Sequence, residues 1–216
     1  MAIELWLVRH GQAAFGSGDY DRLTDLGWQQ ARWLGAHLSA IETRFDRIAA
    51  GTLRRQQETA EALVEGLGGS VETIPGLEEY DGDALLRAIG ITEGQKLGRR
   101  EHFKRLRGAI LDWSENRLNG VPETWCQFRD RVLEAIGRLS DTGDGRVLAA
   151  SSGGAIAMAI TQLLGMPPAQ MVEMNLQARN TGISRLIFSR GRVYLNQFNA
   201  VPHLEHPDRR HAETYS

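Results

Sequence analysis

Apolar residues along the chain follow two rhythms, short continuous runs of strand length and longer stretches where they recur every three or four positions. Ile3-Glu4-Leu5-Trp6-Leu7-Val8 reads as a first strand, residues 45–50 as a second and residues 71–74 as a short third ending at Pro75-Gly76. Residues 146–151 form a buried run that leads straight into Gly153-Gly154, and residues 183–188 and 193–198 make a hairpin across Ser189-Arg190-Gly191-Arg192. Helical spacing covers residues 26–41, entered at Thr24-Asp25, with Leu26, Ala31, Leu34, Leu38 and Ile41 on one stripe. It covers residues 53–66 again, with Leu53, Ala60, Leu63, Val64 and Leu67 on the stripe, and an apolar helix over 153–164. Residues 83–140 carry no strand signal and read as helical, broken most clearly at Asn119-Gly120-Val121-Pro122.

This alternation predicts an α/β fold of three layers, a mostly parallel sheet with helices on both faces. We expect one domain over residues 1–206, with the helices of 83–140 inserted over or beside the sheet, and a polar tail over 207–216. There is no internal repeat and no low-complexity segment.

Composition narrows the function without naming it. At 216 residues and 42% hydrophobic, the chain has enough apolar material for a sizeable core. A net charge of −2 provides no global basic field, so neither nucleic acid nor an anionic membrane is an expected partner. The single cysteine, Cys126, excludes an intrachain disulfide and any cysteine-cluster metal site. No apolar stretch has membrane-spanning length, the first strand makes a poor secretory leader, and a cytoplasmic location is the expectation.

The candidate chemistry lies where strands end. In open α/β sheets ligands bind beyond the carboxyl ends of the strands. The first strand here ends in Arg9-His10-Gly11, the second leads to Arg54-Arg55, the third precedes Glu78-Glu79, and the fourth ends in Ser151-Ser152-Gly153-Gly154. Arg54 and Arg55 occupy the first turn of a helix, where the macrodipole disfavours cations. An anion above that strand end would offset the misplacement, and forked guanidinium donors suit a phosphoryl group. Gly11 beside His10 leaves room for a ligand to approach the backbone.

These segments resemble the histidine phosphatase superfamily, also called phosphoglycerate-mutase-like. The resemblance is carried by Leu7-Val8-Arg9-His10-Gly11-Gln12, Leu23-Thr24-Asp25-Leu26-Gly27, Leu53 to Glu61 with its Arg55-x-x-x-Thr59-Ala60, Leu77-Glu78-Glu79, Val147 to Gly154, and Asn180-Thr181-Gly182-Ile183. It implies that His10 is a nucleophile forming a phosphohistidine, that Arg9 and Arg55 bind the phosphoryl oxygens, and that Glu79 is the general acid. Neighbouring Glu78 and Asp81 remain alternatives for the acid. Arginines can supply the charge stabilisation of phosphoryl transfer, so the resemblance implies neither a metal nor another cofactor.

The chain departs from the family pattern in four places. Ser151-Ser152-Gly153-Gly154 stands where the family usually has Ser-His-Gly-Gly, so a histidine that lends charge is missing. Ser152 can donate one hydrogen bond, helped by the backbone N–H of Gly153 at the helix N-terminus, or it can simply cap that helix. Of the other histidines, His203 alone is a candidate replacement; a metal cluster of His203, His206 and His211 is less expected than a polar tail. Ala50-Gly51-Thr52 stands where small polar residues usually precede the arginines. Glu79-Tyr80-Asp81-Gly82 and Gln12-Ala13-Ala14-Phe15-Gly16 differ from the mutase pattern, which favours hydrolysis over phosphoglycerate mutase activity.

The sequence therefore points to a metal-independent phosphomonoester hydrolase working through phospho-His10 on a phosphorylated small molecule or phosphoprotein. The alternative is a slow or non-catalytic member that binds a phosphorylated ligand. Trp113, Trp125, Phe103 and Phe128 could line a pocket for an apolar leaving group, although their helical spacing favours core packing. The late hairpin offers an edge strand through which a homodimer could form.

Overall fold

The computed structural model describes residues 2–14, 21–92, 95, 97–141 and 145–215. Its centre is a six-stranded sheet: β1 (Ala2–Arg9), β2 (Arg47–Ala50), β3 (Val71–Thr73), β4 (Gly145–Ser151), β5 (Ile183–Ser189) and β6 (Arg192–Ala200), in the spatial order β3-β2-β4-β1-β5-β6. The first four in that order are parallel, and β5 and β6 are added antiparallel at one side.

The apolar run of β1 explains the three layers. Alternate residues of a strand point to opposite faces, and here both faces are covered. Ile3, Leu5 and Leu7 join one core with Val147 and Ala149. Trp6 and Val8 join the other with Leu148 and Ile48. The second core is closed by α1 (Asp25–Ala40) and α2 (Arg54–Leu67), through Leu34, Leu38 and Leu63. The first is closed by α3 (Gly82–Ala88), α4 (Arg99–Ser114), α5 (Trp125–Ser140), α6 (Gly153–Leu163) and α7 (Pro168–Leu176).

Several boundaries differ from the sequence reading. The helical stretch 83–140 is three helices, α3, α4 and α5, in which residues 93, 94 and 96 lie outside the described residues. Helix α7, which starts with Pro168 in its first turn, was not anticipated, because its nine residues are too short for a clear periodic signal. Ile41 is not on the buried stripe of α1; it is the C-cap and is exposed. Trp113, Trp125 and Phe128 are core residues, stacked edge-on or tilted at 5.3–5.5 Å, while Phe103 is half-buried against His102.

The segment 207–216 is polar in composition, and its described residues, 207–215, dock on the domain. Pro207–Ala212 forms a 3₁₀ turn, Ala212 is fully buried, and Gln30 donates to the Ala212 carbonyl and the Thr214 hydroxyl at 2.7 and 2.8 Å. Its anchoring groups are backbone and small side chains, which hydropathy does not register. No described helix is long and apolar enough to cross a membrane.

Register sets the site. Arg9 of β1 lies opposite Ser151 of β4, and Ala50 of β2 opposite Ala150 of β4. The next residue on each strand is His10, Ser152 or Gly51, so three strand ends present these residues side by side at the carboxyl edge.

Candidate active site

Backbone bonds first fix where His10 sits. The His10 N–H donates to the Ser151 carbonyl at 2.9 Å, and the Arg9 N–H to the Gly182 carbonyl at 3.1 Å. From the other side Asn180 Nδ2 donates to the His10 carbonyl at 3.1 Å, and the Thr181 N–H to the Arg9 carbonyl at 3.1 Å. Gly11 presses against the Gly27 backbone of α1, where any Cβ would collide with the Gly27 carbonyl. The glycine is therefore required by helix packing rather than by ligand approach. Its N–H donates to Thr59 Oγ1 at 3.0 Å, and that hydroxyl donates to the Arg55 carbonyl at 2.6 Å, tying the first motif to α2.

The His10 imidazole is 3% exposed. Nδ1 lies 2.8 Å from the Gly11 carbonyl oxygen, which can only accept, so Nδ1 carries the proton. In a neutral ring that leaves the lone pair on Nε2. Arg55 Nε donates to this nitrogen at 3.2 Å. Burial first, then the positive charges of Arg9 and Arg55, hold the imidazole well below its ordinary pKa. A neutral ring with a fixed tautomer and an inward lone pair is the protonation state a nitrogen nucleophile needs.

Helix α2 explains why Arg55 was found off the apolar stripe. Its buried face includes Arg55, Gln56, Glu58 and Thr59 next to Ala60, Ala62 and Leu63, because its first turn faces polar groups of the strand ends. The misplacement of cations there is partly compensated within the chain. Asp21 Oδ1 accepts from Arg55 Nη1 at 2.7 Å, and Asp21 Oδ2 from the Arg54 N–H at 3.0 Å. A carboxylate, anticipated nowhere in the sequence reading, thus sits at the helix N-terminus where an anion was expected. Arg54 itself turns outward, 58% exposed, to Glu58 four residues on, and Glu58 accepts from the Leu23 N–H at 2.7 Å.

Arg9 is buried, with Nη1 donating to the Ala178 carbonyl, and its guanidinium lies beside Gly153. The first turn of α6 also receives Glu79. Glu79 Oε2 accepts from the Gly154 N–H at 2.9 Å and Oε1 from the Tyr80 N–H at 3.2 Å. A Cβ on Gly154 would collide with Oε1, so this glycine lets the carboxyl reach the helix end. Burial raises the Glu79 pKa, opposed by the Gly154 hydrogen bond and by the charges of Arg55 and Arg9. A raised pKa suits a group that must hold and give up a proton.

The neighbouring acids are committed elsewhere. Glu78 accepts from Thr52 Oγ1 at 2.5 Å and from the Gly76 N–H at 2.8 Å; burial pushes its pKa up, but these hydrogen bonds prevail and hold it low. Asp81 caps α3 through the Ala84 N–H at 2.8 Å. A second group missed in the sequence is Arg131 of α5. Its Nη1 donates to the Gly76 and Glu78 carbonyls at 3.1 and 2.8 Å, and Nη2 to the Glu79 carbonyl at 3.4 Å. Glu123 holds the other edge of the guanidinium at 2.6 and 3.0 Å, and the group stacks 4.7 Å from the Phe128 ring centre. One side chain thereby shapes the whole loop that carries Glu79.

Ser152 is fully buried at the N-cap of α6, yet its side chain caps nothing. Its Oγ instead accepts from Gln56 Nε2 at 2.8 Å. His203 is not at this edge. It packs behind the strand end, 2.8 Å from the Thr181 hydroxyl, where burial, His37 and Arg209 push its pKa down to about 3. It is a neutral partner of the Thr181 hydroxyl, not a charged ligand. Phe15 and Gly16 lie outside the described residues. Among the described residues no group of three His, Cys, Asp or Glu is arranged to hold a metal.

Comparison with known proteins gives concordant results. A family model described as the histidine phosphatase superfamily (branch 1) matches residues 5–201. A probable phosphoglycerate mutase, GpmB, of Cronobacter sakazakii is 29% identical over 198 residues, covering 85% of this chain and 84% of its own. Among solved structures, phosphoserine phosphatase from Entamoeba histolytica with 3-phosphoglyceric acid has a TM-score of 0.68 at 25% identity, covering 94% of this chain and 99% of its own. A putative alpha-ribazole-5'-P phosphatase from Escherichia coli shares the fold with a TM-score of 0.69 at 24% identity, covering 93% and 97%.

Proposed function

The chain belongs to the histidine phosphatase superfamily, and from that membership and the strand-end geometry we propose that it is a metal-independent phosphomonoester hydrolase acting through a phosphohistidine on His10. The observation that carries the reading is the 3.2 Å contact between Arg55 Nε and His10 Nε2, on a ring whose other nitrogen is committed to Gly11. A phosphoryl group entering between them takes the guanidinium hydrogen bonds on its oxygens and receives the freed lone pair on phosphorus.

In the first step Nε2 bonds to phosphorus while the ester P–O bond breaks, and the leaving oxygen takes the proton held by Glu79. In the second, the Glu79 carboxylate takes a proton from water. The resulting oxygen attacks phosphorus, the P–N bond breaks, and the electron pair returns to Nε2. Arg9 and Arg55 carry the charge of the in-line transition state, with Ser152 Oγ and the Gly153 N–H as neutral donors. Two permanent cations at one anion account for the reading that no metal is needed.

The names of the relatives span phosphatases and mutases. Hydrolysis is the better reading here, because Glu79 is followed by Tyr80-Asp81-Gly82, with Asp81 engaged as a helix cap. The substrate is a phosphorylated small molecule or phosphoprotein, met in the cytoplasm. A second reading, a slow phospho-ligand binder, draws on the Asp21 carboxylate already bonded to Arg55. A screen of phosphomonoesters with His10→Ala alongside tests the proposal. Release of phosphate by the wild type alone supports it; equal release by both proteins refutes it.

A further inference from the structure

Gln56 is a fully buried glutamine in the first turn of α2, and every hydrogen-bonding direction it shows is accounted for. Its Oε1 accepts from the Leu53 N–H at 3.3 Å, and its Nε2 donates to the Leu77 carbonyl at 2.8 Å. Those two backbone partners, one a donor and one an acceptor, fix which way the amide lies. Toward Ser152, 2.8 Å away, Gln56 therefore presents an N–H and not an oxygen.

The consequence falls on the serine proton. With its oxygen accepting from Gln56, Ser152 has an O–H left to place. The Leu77 carbonyl, which shares the Gln56 amide with it, is not open to it. Leu77 O already accepts from Gln56 Nε2 and from Ser151 Oγ, each at 2.8 Å, which occupies both lone pairs. Ser152 also forgoes the N-cap bond that a serine at this position ordinarily makes. Among the described residues the buried hydroxyl has no acceptor for its proton. It stands on the strand end beside His10, in the turn whose next two residues abut Arg9 and Glu79.

We infer that Gln56 is a positioning residue that compels the Ser152 hydroxyl to donate to the anion seated at His10, so that the pair adds a neutral hydrogen bond beside the two guanidinium groups. This rests on the anion-site reading of the strand ends. An oxyanion seated at His10 is a ligand that can accept that proton. Without the amide, the serine oxygen no longer has a donor that turns its proton outward.

The test is calorimetric binding of orthovanadate and of inorganic phosphate to the full chain, with p-nitrophenyl phosphate hydrolysis in parallel. Ser152→Ala is expected to weaken oxyanion binding about tenfold, the worth of one donor to a charged group. Gln56→Met keeps the side-chain length but cannot donate, and is expected to lose a similar factor. That loss should vanish in the Ser152→Ala background, whereas a merely structural role for Gln56 would lower binding equally in both backgrounds. The inference is overturned if Ser152→Ala binds both anions like the wild type, or if the Gln56→Met loss is the same with and without Ser152. A wild type that binds neither anion and forms no phosphoenzyme would overturn the proposed function itself. Normal binding with an indifferent Ser152 would overturn this inference alone.

Discussion

Removing the Arg131 guanidinium offers the sharpest separation of positioning from chemistry. Arg131→Ala deletes donors to three carbonyls of the acid loop, those of Gly76, Glu78 and Glu79, and leaves the Glu123 carboxylate without its partner. Hydrogen bonds from a charged donor are worth about 1.5–3 kcal/mol each. The side chain is 26% exposed, so water recovers part of that, and we expect a stability loss of about 3 kcal/mol. The effect on rate follows a different route. Glu79 is held by the Gly154 and Tyr80 N–H groups, and a loop shifted by about 1 Å would cost on the order of 100-fold in protonating a poor leaving group. An aryl phosphate with an acidic leaving group needs no such proton. The assay is therefore a pair of substrates, an alkyl and a nitrophenyl phosphate, compared in kcat/KM, which excludes the dephosphorylation step common to both, for the wild type and Arg131→Ala. A large loss confined to the alkyl ester is the expected result. Equal losses on both substrates, or none, would refute the role assigned to Arg131.

Other outcomes follow from the same geometry. Asp21→Asn removes the carboxylate bonded to Arg55; a half-exposed ion pair is worth up to about 1 kcal/mol, so phosphate should inhibit about two- to fivefold more tightly, and weaker inhibition would mean Asp21 serves to hold Arg55 in place. Ser152→His should be destabilised by about 1–3 kcal/mol in thermal unfolding, since the Gln56 amide lies 2.8 Å from a fully buried oxygen, and Gln56→Ala in the same chain should relieve it; an unperturbed single variant would contradict that packing. His203 is neutral in the fold, its pKa lowered to about 3 against an ordinary 6.5. Its contribution is fully present above the unfolded value and lost as pH falls through the window between the two, about 1.4 kcal/mol per unit. Denaturant titrations should thus show a shallower acid loss for His203→Gln than for the wild type, and parallel slopes would count against it.

What could be read in advance has a physical pattern. β1 and β4 were legible because burial on both faces makes them continuous apolar runs, and strand ends in α/β sheets advertise their sites. His10, Arg9, Arg55 and Glu79 come from motifs that sit immediately after such runs. Gln56, Asp21 and Arg131 were not legible. Each is a polar residue in a polar stretch, and what matters about it is a partner 21 to 96 residues away, Leu77 and Ser152 for Gln56. Helix α2 shows the limit most clearly: hydropathy marks its buried face by alanines and leucines, whereas its first turn buries arginine, glutamine and glutamate against the site. The anchoring of the polar C-terminal segment was not legible for a related reason, since its attachments include a main-chain carbonyl and a threonine hydroxyl.

Each role proposed for the groups at the strand ends depends on His10 acting as a nucleophile. Rapid mixing with a phosphomonoester, quench into alkali, where phosphohistidine survives, and intact-mass measurement of the chain test it directly. The account predicts one phosphoryl group on the wild type, located to His10 by fragmentation and absent from His10→Ala. Turnover with no phosphorylated chain at any time, or a phosphoryl group on another residue, would contradict it.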